Sequence, residues 1–299
     1  MNAIRWLDYD TYRGSPDHTV TGHVVVARNV RSPQLGNRRD ILVYLPPSYE
    51  GGAERYPVVY MHDGQNLFDE TTSFVGEWGV DKIMDRLART EGLEALVVGI
   101  PNMGEERMAE YSPFADPQFG GGRGDAYLQF IGDTVKPLID RSFRTQPGPS
   151  RTATIGSSMG GLISLHAFFA RPDIFGNAGA MSPSLLFASR ALFSFVRFAP
   201  FVPGRLYLDM GAREFEAGAR RPWLEPLYRR RTLAPARRMR DLLLRKGYRP
   251  GENLMYVEDP EGIHHESAWA RRLPGAMTFL LEATAARTDR AAVGSRRGS

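Results

Sequence analysis

Ala153-Thr154-Ile155-Gly156-Ser157-Ser158-Met159-Gly160-Gly161-Leu162-Ile163-Ser164-Leu165-His166-Ala167 passes from a short β-forming run, through a serine bounded by glycines, into a helix-forming run. A serine on a sharp strand-to-helix turn needs small residues two before it and two after it, because the turn crowds the backbone on both sides. Gly156 and Gly160 stand at those places around Ser158, whereas Ser157 has Ile155 and Met159 there. The bare pattern is weak in a chain with 31 glycines; the strand before it and the helix after it give it meaning. Ser158 is the expected nucleophile.

Outward from this turn, β-rich runs alternate with helical ones. His23 to Val30 and Asp40 to Leu45 read as an opening antiparallel pair, ended by Pro46-Pro47, since proline cannot donate to a ladder. Val58 to Met61, Ala95 to Ile100, Ala153 to Ile155, Gly176 to Met181, Leu206 to Met210 and Leu254 to Val257 are apolar runs of the kind that parallel strands buried on both faces produce. Between them, Val80, Ile83, Met84, Leu87 and Ala88 recur at helical spacing. Further helices are expected over Asp125 to Asp140, Met159 to Ala170, Ala188 to Phe198, Ala236 to Lys246 and Ser267 to Ala283. Repeated strand, helix, strand predicts an α/β fold with a mostly parallel central sheet covered by helices on both faces, because parallel neighbours need long crossovers. Pro101 to Gly124 shows no period and contains Gly120-Gly121-Gly122, so it is expected to form a wall or lid of the site.

Composition bounds the function. With 42% hydrophobic and 24% charged residues the chain can bury a large core, and there are no cysteines, so disulfides, zinc-thiolate sites and cysteine nucleophiles are excluded. No apolar run of membrane-spanning length occurs, and the start of the chain lacks a basic segment followed by an apolar one; a soluble, cytoplasmic protein is expected. The formal net charge is +4. After Ala286, Arg287, Arg290, Arg296 and Arg297 outnumber Asp289, so the excess sits largely at this end. Without aromatics, it reads as a flexible tail rather than a surface for nucleic acid or membrane. The expected organisation is one domain over residues 1–285 and a basic tail over 286–299.

A serine hydroxyl attacks only when a base takes its proton, and histidine suits that work near neutral pH. In strand-turn-helix hydrolases the base follows the last strand, where His264 and His265 stand in Gly262-Ile263-His264-His265-Glu266. His18 and His23 read as surface or strand residues, His62 as a prop for the loop after the third strand, and His166 as a packed helix residue. The acid that orients the base should follow a strand between Ser158 and the histidine pair. Asp209 and Glu214 are the candidates in Leu208-Asp209-Met210-Gly211-Ala212-Arg213-Glu214. Glu214 is favoured because Gly211 carries it onto a loop, whereas Asp209 is still held by the sheet. The backbone N–H groups of Met159 and Gln65 are the expected oxyanion donors, the second because Gly64 lets the loop after the third strand turn inward. Arg107 and Arg123 flank the unpatterned stretch and are candidates to bind an anionic or phenolic substrate, or else partners of Glu105 and Glu106.

These residues resemble the putative esterase family of α/β hydrolases, which includes enterochelin esterases, feruloyl and acetylxylan esterases, S-formylglutathione hydrolases and mycolyltransferases. The likeness runs from Val20 to Leu281. It is carried by Leu45-Pro46-Pro47-Ser48-Tyr49, Tyr60-Met61-His62-Asp63-Gly64-Gln65-Asn66-Leu67-Phe68-Asp69, Glu110-Tyr111-Ser112-Pro113, the Ser158 turn, Ser182-Pro183-Ser184 and His264-His265-Glu266-Ser267-Ala268-Trp269. The resemblance implies the α/β-hydrolase fold and acyl chemistry that needs no metal or cofactor. It also places the base five residues before the tryptophan of the final helix, which is His264, and the acid three residues after a strand-end glycine, which is Glu214. The expected activity is hydrolysis of a small or aromatic carboxylic ester through an acyl-enzyme, with transfer to an alcohol as the alternative. A binding module on the same fold would not need serine, acid and histidine together.

Overall fold

The computed structural model describes residues 4–214 and 225–282; the tail over 286–299, and the last residue of the helix expected to reach Ala283, lie outside them. The chain opens with β1 (Trp6–Asp8) and α1 (Tyr9–Arg13), followed by β2 (His23–Ser32), β3 (Asn37–Leu45), β4 (Val58–His62), α2 (Val80–Glu91) and β5 (Leu96–Ile100). The stretch without period in the sequence holds a 3-10 turn at Gly104–Glu106, the short helix α3 (Arg107–Glu110) and a small hairpin, β6 (Ala115–Asp116) with β7 (Gly120–Gly121). Next come α4 (Gly124–Phe130), α5 (Lys136–Ser142), β8 (Thr152–Ser157), α6 (Met159–Ala170), β9 (Asn177–Met181), α7 (Phe187–Phe198), β10 (Arg205–Gly211), α8 (Glu225–Lys246), β11 (Leu254–Asp259) and α9 (Glu266–Leu281).

A nine-stranded sheet in the order β1-β2-β3-β5-β4-β8-β9-β10-β11 is the frame. Pairings from β1 to β5 are antiparallel and those from β5 to β11 parallel, as the alternation of elements predicts. Successive side chains of a strand face opposite ways. Val25, Ile41, Val43, Val58, Tyr60 and Val98 therefore pack on one side with α4, α6 and α8, and Val24, Val26, Leu42, Tyr44, Val59 and Val97 on the other with α2 and α9. α6 is buried from Met159 to Phe169, so the helix leaving Ser158 has one possible seat. Among the described residues, no helix is long and apolar enough to cross a membrane.

The departures from the sequence reading have local causes. β1 and α1 are too short to show a period. The helix expected from Asp125 to Asp140 is interrupted by a π turn at Ile131–Val135, just before Pro137, whose missing N–H and ring prevent a regular α turn there. α8 begins at Glu225 rather than near Ala236 and carries Pro235 inside, with Leu233, Ala236, Met239 and Leu243 holding it to the sheet. In α7, Ala188, Ser189 and Arg190 have φ of 45°, 53° and 68°, so right-handed helix starts only after Arg190.

Candidate active site

The carboxyl ends of the parallel strands converge on one rim of the sheet, the usual place for a ligand in such folds. β4 ends in His62 and leads to Asp63 and Gln65, β8 leads to Ser158, β9 to Ser182, β10 to Glu214 and β11 to His264. Ser158 sits between β8 and α6 with φ 56° and ψ −119°, outside the regions open to an ordinary side chain. A conformation of this kind costs about 1–3 kcal/mol and persists only where surroundings enforce it. Here the Ser158 N–H donates to the Met181 carbonyl at 3.0 Å and the Ser158 carbonyl accepts from Ser184 N–H at 3.0 Å. A Cβ on Gly156 would lie 2.7 Å from the Gly160 carbonyl carbon and 2.8 Å from the His62 ring, which is why the turn needs glycine there.

Ser158, His264 and Glu214 form a continuous chain. His264 Nε2 lies 3.0 Å from Ser158 Oγ, and His264 Nδ1 is hydrogen-bonded to Glu214 Oε2. Glu214 is buried, and its other oxygen accepts the Gly211 N–H at 2.9 Å and the hydroxyl of Ser182. A Cβ on Gly211 would meet the Gly262 carbonyl oxygen at 2.3 Å and Glu214 Oε1 at 2.6 Å, so this glycine lets the two loops close on each other. The Trp269 ring stands edge-on to His264 with centroids 4.9 Å apart and donates its Nε1–H to Ser182 Oγ at 3.0 Å.

Asp209, the alternative acid, points elsewhere. It is fully buried, accepts the Ser182 N–H at 2.8 Å and the Tyr207 hydroxyl at 3.0 Å, and pairs with Arg272, whose Nε lies 2.9 Å away. Arg272 also donates to Ser182 Oγ at 2.9 Å. Sequence alone assigns no role to Ser182 or Arg272. The only local signal was the Ser182-Pro183 step directly after a strand, and Ser182 adopts φ 42° there.

None of the remaining histidines is hydrogen-bonded to Ser158 Oγ. His265 caps α9, its Nδ1 accepting the Ser267 N–H at 3.2 Å. His62 lies beneath the Ser158 turn between the Tyr127 hydroxyl at 2.9 Å and Thr154 Oγ1 at 3.1 Å, and burial pushes its pKa down to about 4, so it is neutral. His166 packs against Phe195 and faces Asp125, with its pKa lowered by burial. His18 meets Asp10 at 2.6 Å, and His23 is exposed.

Met159 opens α6, and Gln65 sits in the 3-10 turn Gly64–Asn66; first-turn N–H groups have no partner within their own helix and are free to meet a ligand. The Gln65 carbonyl accepts from Thr72 Oγ1 at 2.8 Å, and Gln65 Oε1 accepts the Asn102 N–H at 3.1 Å. Arg107 makes two parallel hydrogen bonds to Asp63, each 2.8 Å. Although burial opposes ionisation of both groups, the pairing prevails: the Asp63 carboxyl is held below the usual carboxylate range and the Arg107 guanidinium is held more basic than usual. Arg123 pairs with Glu106 at 2.8 Å and donates to the Leu35 carbonyl at 2.8 Å, and it lines neither lobe of the cleft at Ser158.

A family model described as "Putative esterase" matches residues 32–280. The chain belongs to this family. It is a carboxylic-ester hydrolase. The uncharacterised protein YbbA of Bacillus subtilis is 27% identical to the esterase, over 83% of this chain and 94% of that one. A siderophore enterobactin esterase of Emericella nidulans is 33% identical, over 42% of this chain and only 44% of that one. The crystal structure of an IroE-like serine hydrolase from Shewanella oneidensis superposes with a TM-score of 0.67 at 22% identity, covering 86% of this chain and 79% of that one, a likeness of fold.

In the esterase, Ser158 and His264 lie where two lobes of a cleft meet. One lobe, of about 800 Å³, has a mixed lining in which Asn66, Thr72, Ser73 and Asn102 stand beside Phe74, Val75 and Trp269. The other, of about 690 Å³, is walled by Met108, Phe119, Leu185, Leu186 and Phe187. Arg107 borders both.

Proposed function

We propose that the esterase cleaves its substrate through an acyl-enzyme on Ser158, with His264 as base and Glu214 as the acid that orients it. The observation that carries this reading is the alignment of Ser158 Oγ, the two ring nitrogens of His264 and the Glu214 carboxylate along one hydrogen-bonded path. Glu214 on Nδ1 favours the tautomer in which Nε2 is free to accept the serine proton. As Ser158 Oγ bonds to the ester carbonyl carbon, its proton passes to His264 Nε2 and negative charge moves onto the carbonyl oxygen. The N–H groups of Met159 and Gln65 receive that charge. Collapse expels the alkoxide, which takes the proton back from His264. Water, deprotonated by the same nitrogen, then bonds to the acyl carbon, and Ser158 Oγ leaves and takes that proton back from His264 as the acid is released.

The more apolar lobe supports an ester with one apolar arm, small or aromatic, and the mixed lobe leaves room for a second arm that carries some polar groups, cleaved at their junction. The partial relative named as a siderophore esterase accords with an enterochelin-esterase-like substrate. The test is twofold. An aryl organophosphonate should attach to Ser158 and to no other serine by mass mapping. Turnover should then be ranked across p-nitrophenyl esters of rising chain length, feruloyl and acetyl-sugar esters and a catecholate trilactone. Labelling of another serine overturns the assignment.

A further inference from the structure

We propose that Arg107 is a positioning residue for catalysis: through Asp63 it holds the oxyanion loop, and with it the Gln65 N–H, in the geometry that receives the developing charge. This rests on the reading above, in which Gln65 is an oxyanion donor.

The argument begins with the backbone of Asp63. Its φ is 55° and its ψ 46°, a left-handed conformation that costs a residue bearing a Cβ about 1 kcal/mol or more, so it is kept only if something holds it. That conformation turns the chain from the end of β4 into the 3-10 turn that presents Gln65. Four contacts fix it, all from the Pro101 to Gly124 segment expected to form a wall or lid. Arg107 grips both carboxylate oxygens at 2.8 Å, Asn102 Nδ2 donates to Asp63 Oδ1 at 2.7 Å, and the Tyr111 hydroxyl accepts the Asp63 N–H at 2.9 Å. The fourth is the Asn102 N–H on Gln65 Oε1, on the donor residue itself.

A clamp must itself be anchored. Arg107 and Glu110 are the first and last residues of α3, and Glu110 is fully buried in a bidentate pair with Arg39 of β3, at 2.7 and 2.8 Å. The Arg107 guanidinium also lies 5.0 Å from the Tyr111 ring centroid. One short helix therefore ties the oxyanion loop to the sheet, and its planar, two-pronged ion pair resists rotation of Asp63 in a way a single hydrogen bond does not. Misplacing one oxyanion donor costs turnover while leaving ground-state binding largely intact, since the donor is used mainly in the transition state.

The test compares wild type with Arg107→Met, which keeps bulk and removes the fork, and Arg107→Lys, which keeps charge without the fork. p-Nitrophenyl acetate turnover and the affinity of an arylboronic acid, a tetrahedral mimic formed on Ser158, are measured alongside the thermal midpoint. For Arg107→Met, kcat should fall by about 30- to 100-fold with KM within about threefold, and boronate affinity should fall by about the same factor as kcat/KM. Arg107→Lys should recover part of both losses. If kcat is kept while KM rises, Arg107 binds substrate and the proposal fails. It fails equally if kcat drops with boronate affinity unchanged. Should Arg107→Met not fold, the same readings on Arg107→Lys decide, with losses smaller but again shared between kcat/KM and boronate affinity. Failure of the underlying reading is separable: wild type that binds no boronate, or Ser158→Ala that retains turnover, shows that Ser158 is not the nucleophile whatever Arg107 does.

Discussion

Asp209 and Glu214, the two carboxylates that β10 and its exit offer to His264, are joined through a single serine: Asp209 accepts the Ser182 N–H at 2.8 Å, and Glu214 accepts the Ser182 hydroxyl. One is therefore the support of the other. Glu214→Gln should lower turnover by roughly 10² to 10⁴, by analogy with the loss of a triad acid, with little change in stability. Asp209→Asn weakens the buried pairing of Arg272, which keeps Asp259 at 3.1 Å, and should lower stability by about 1–3 kcal/mol. Turnover and thermal midpoint measured on both variants separate the roles. A fully active Glu214→Gln beside a folded, inactive Asp209→Asn would exchange them.

Ser157 and Ser158 are adjacent, yet Ser157 ends β8 with its residue buried, and only Ser158 Oγ faces His264. Ser158→Ala should cost three or more orders of magnitude in ester turnover with the fold intact, as no acyl-enzyme can form. Ser157→Ala should cost less than tenfold. Steady-state kinetics with circular dichroism on the two variants checks this, and comparable losses would show that the turn, rather than the hydroxyl, had been disturbed.

The strand-turn-helix around Ser158 was legible because its chemistry is local, with glycine spacing, a β run and a helix run in one window. The meeting of His264 and Glu214 with Ser158 was legible because chain order and strand ends bring them to one rim. What holds them was not. Arg107 and Asp63 are 44 residues apart, and Arg272 and Asp209 63 apart, and no local pattern marks such pairs. The same limit explains why Arg107 reads in sequence as a substrate-binding candidate: only the fold brings Asp63 to it.

His62 gives the structure a dependence on pH that is separate from catalysis. Burial lowers its pKa to about 4, against an ordinary value of about 6.5. As pH falls the unfolded chain takes up this proton first, so the stabilisation is complete above about pH 6.5 and is lost progressively toward pH 4, amounting to about 3 kcal/mol. His62→Gln lacks the titration. The difference in urea-unfolding free energy between wild type and this variant should therefore shrink or reverse between pH 7 and pH 4.5. A difference independent of pH would mean that His62 titrates alike in both states.

The segment after β5 divides in two, and its second part is expected to bear on which esters are accepted. Asn102 to Tyr111 reaches Asp63 and Gln65, whereas the β6–β7 hairpin reaches the apolar lobe, which Asp116 and Phe119 line. Its base is closed independently of its tip, because the Ser112 carbonyl accepts from both Gly122 N–H at 2.8 Å and Gly124 N–H at 3.0 Å. Phe119 at the tip is 56% exposed, so it contributes little to the core and is free to serve as a wall for a ligand. Replacing Ala115 to Gly121 with a short glycine linker should thus remove a wall of the apolar lobe while leaving the Ser158, His264 and Glu214 contacts in place. The expected result is a change of about tenfold in the ratio of kcat/KM for p-nitrophenyl octanoate or a feruloyl ester to that for p-nitrophenyl acetate, larger than the loss on acetate itself, since an apolar contact of this size is worth about 1–3 kcal/mol. A folded deletion variant that has lost acetate turnover altogether would instead assign the hairpin to the catalytic geometry.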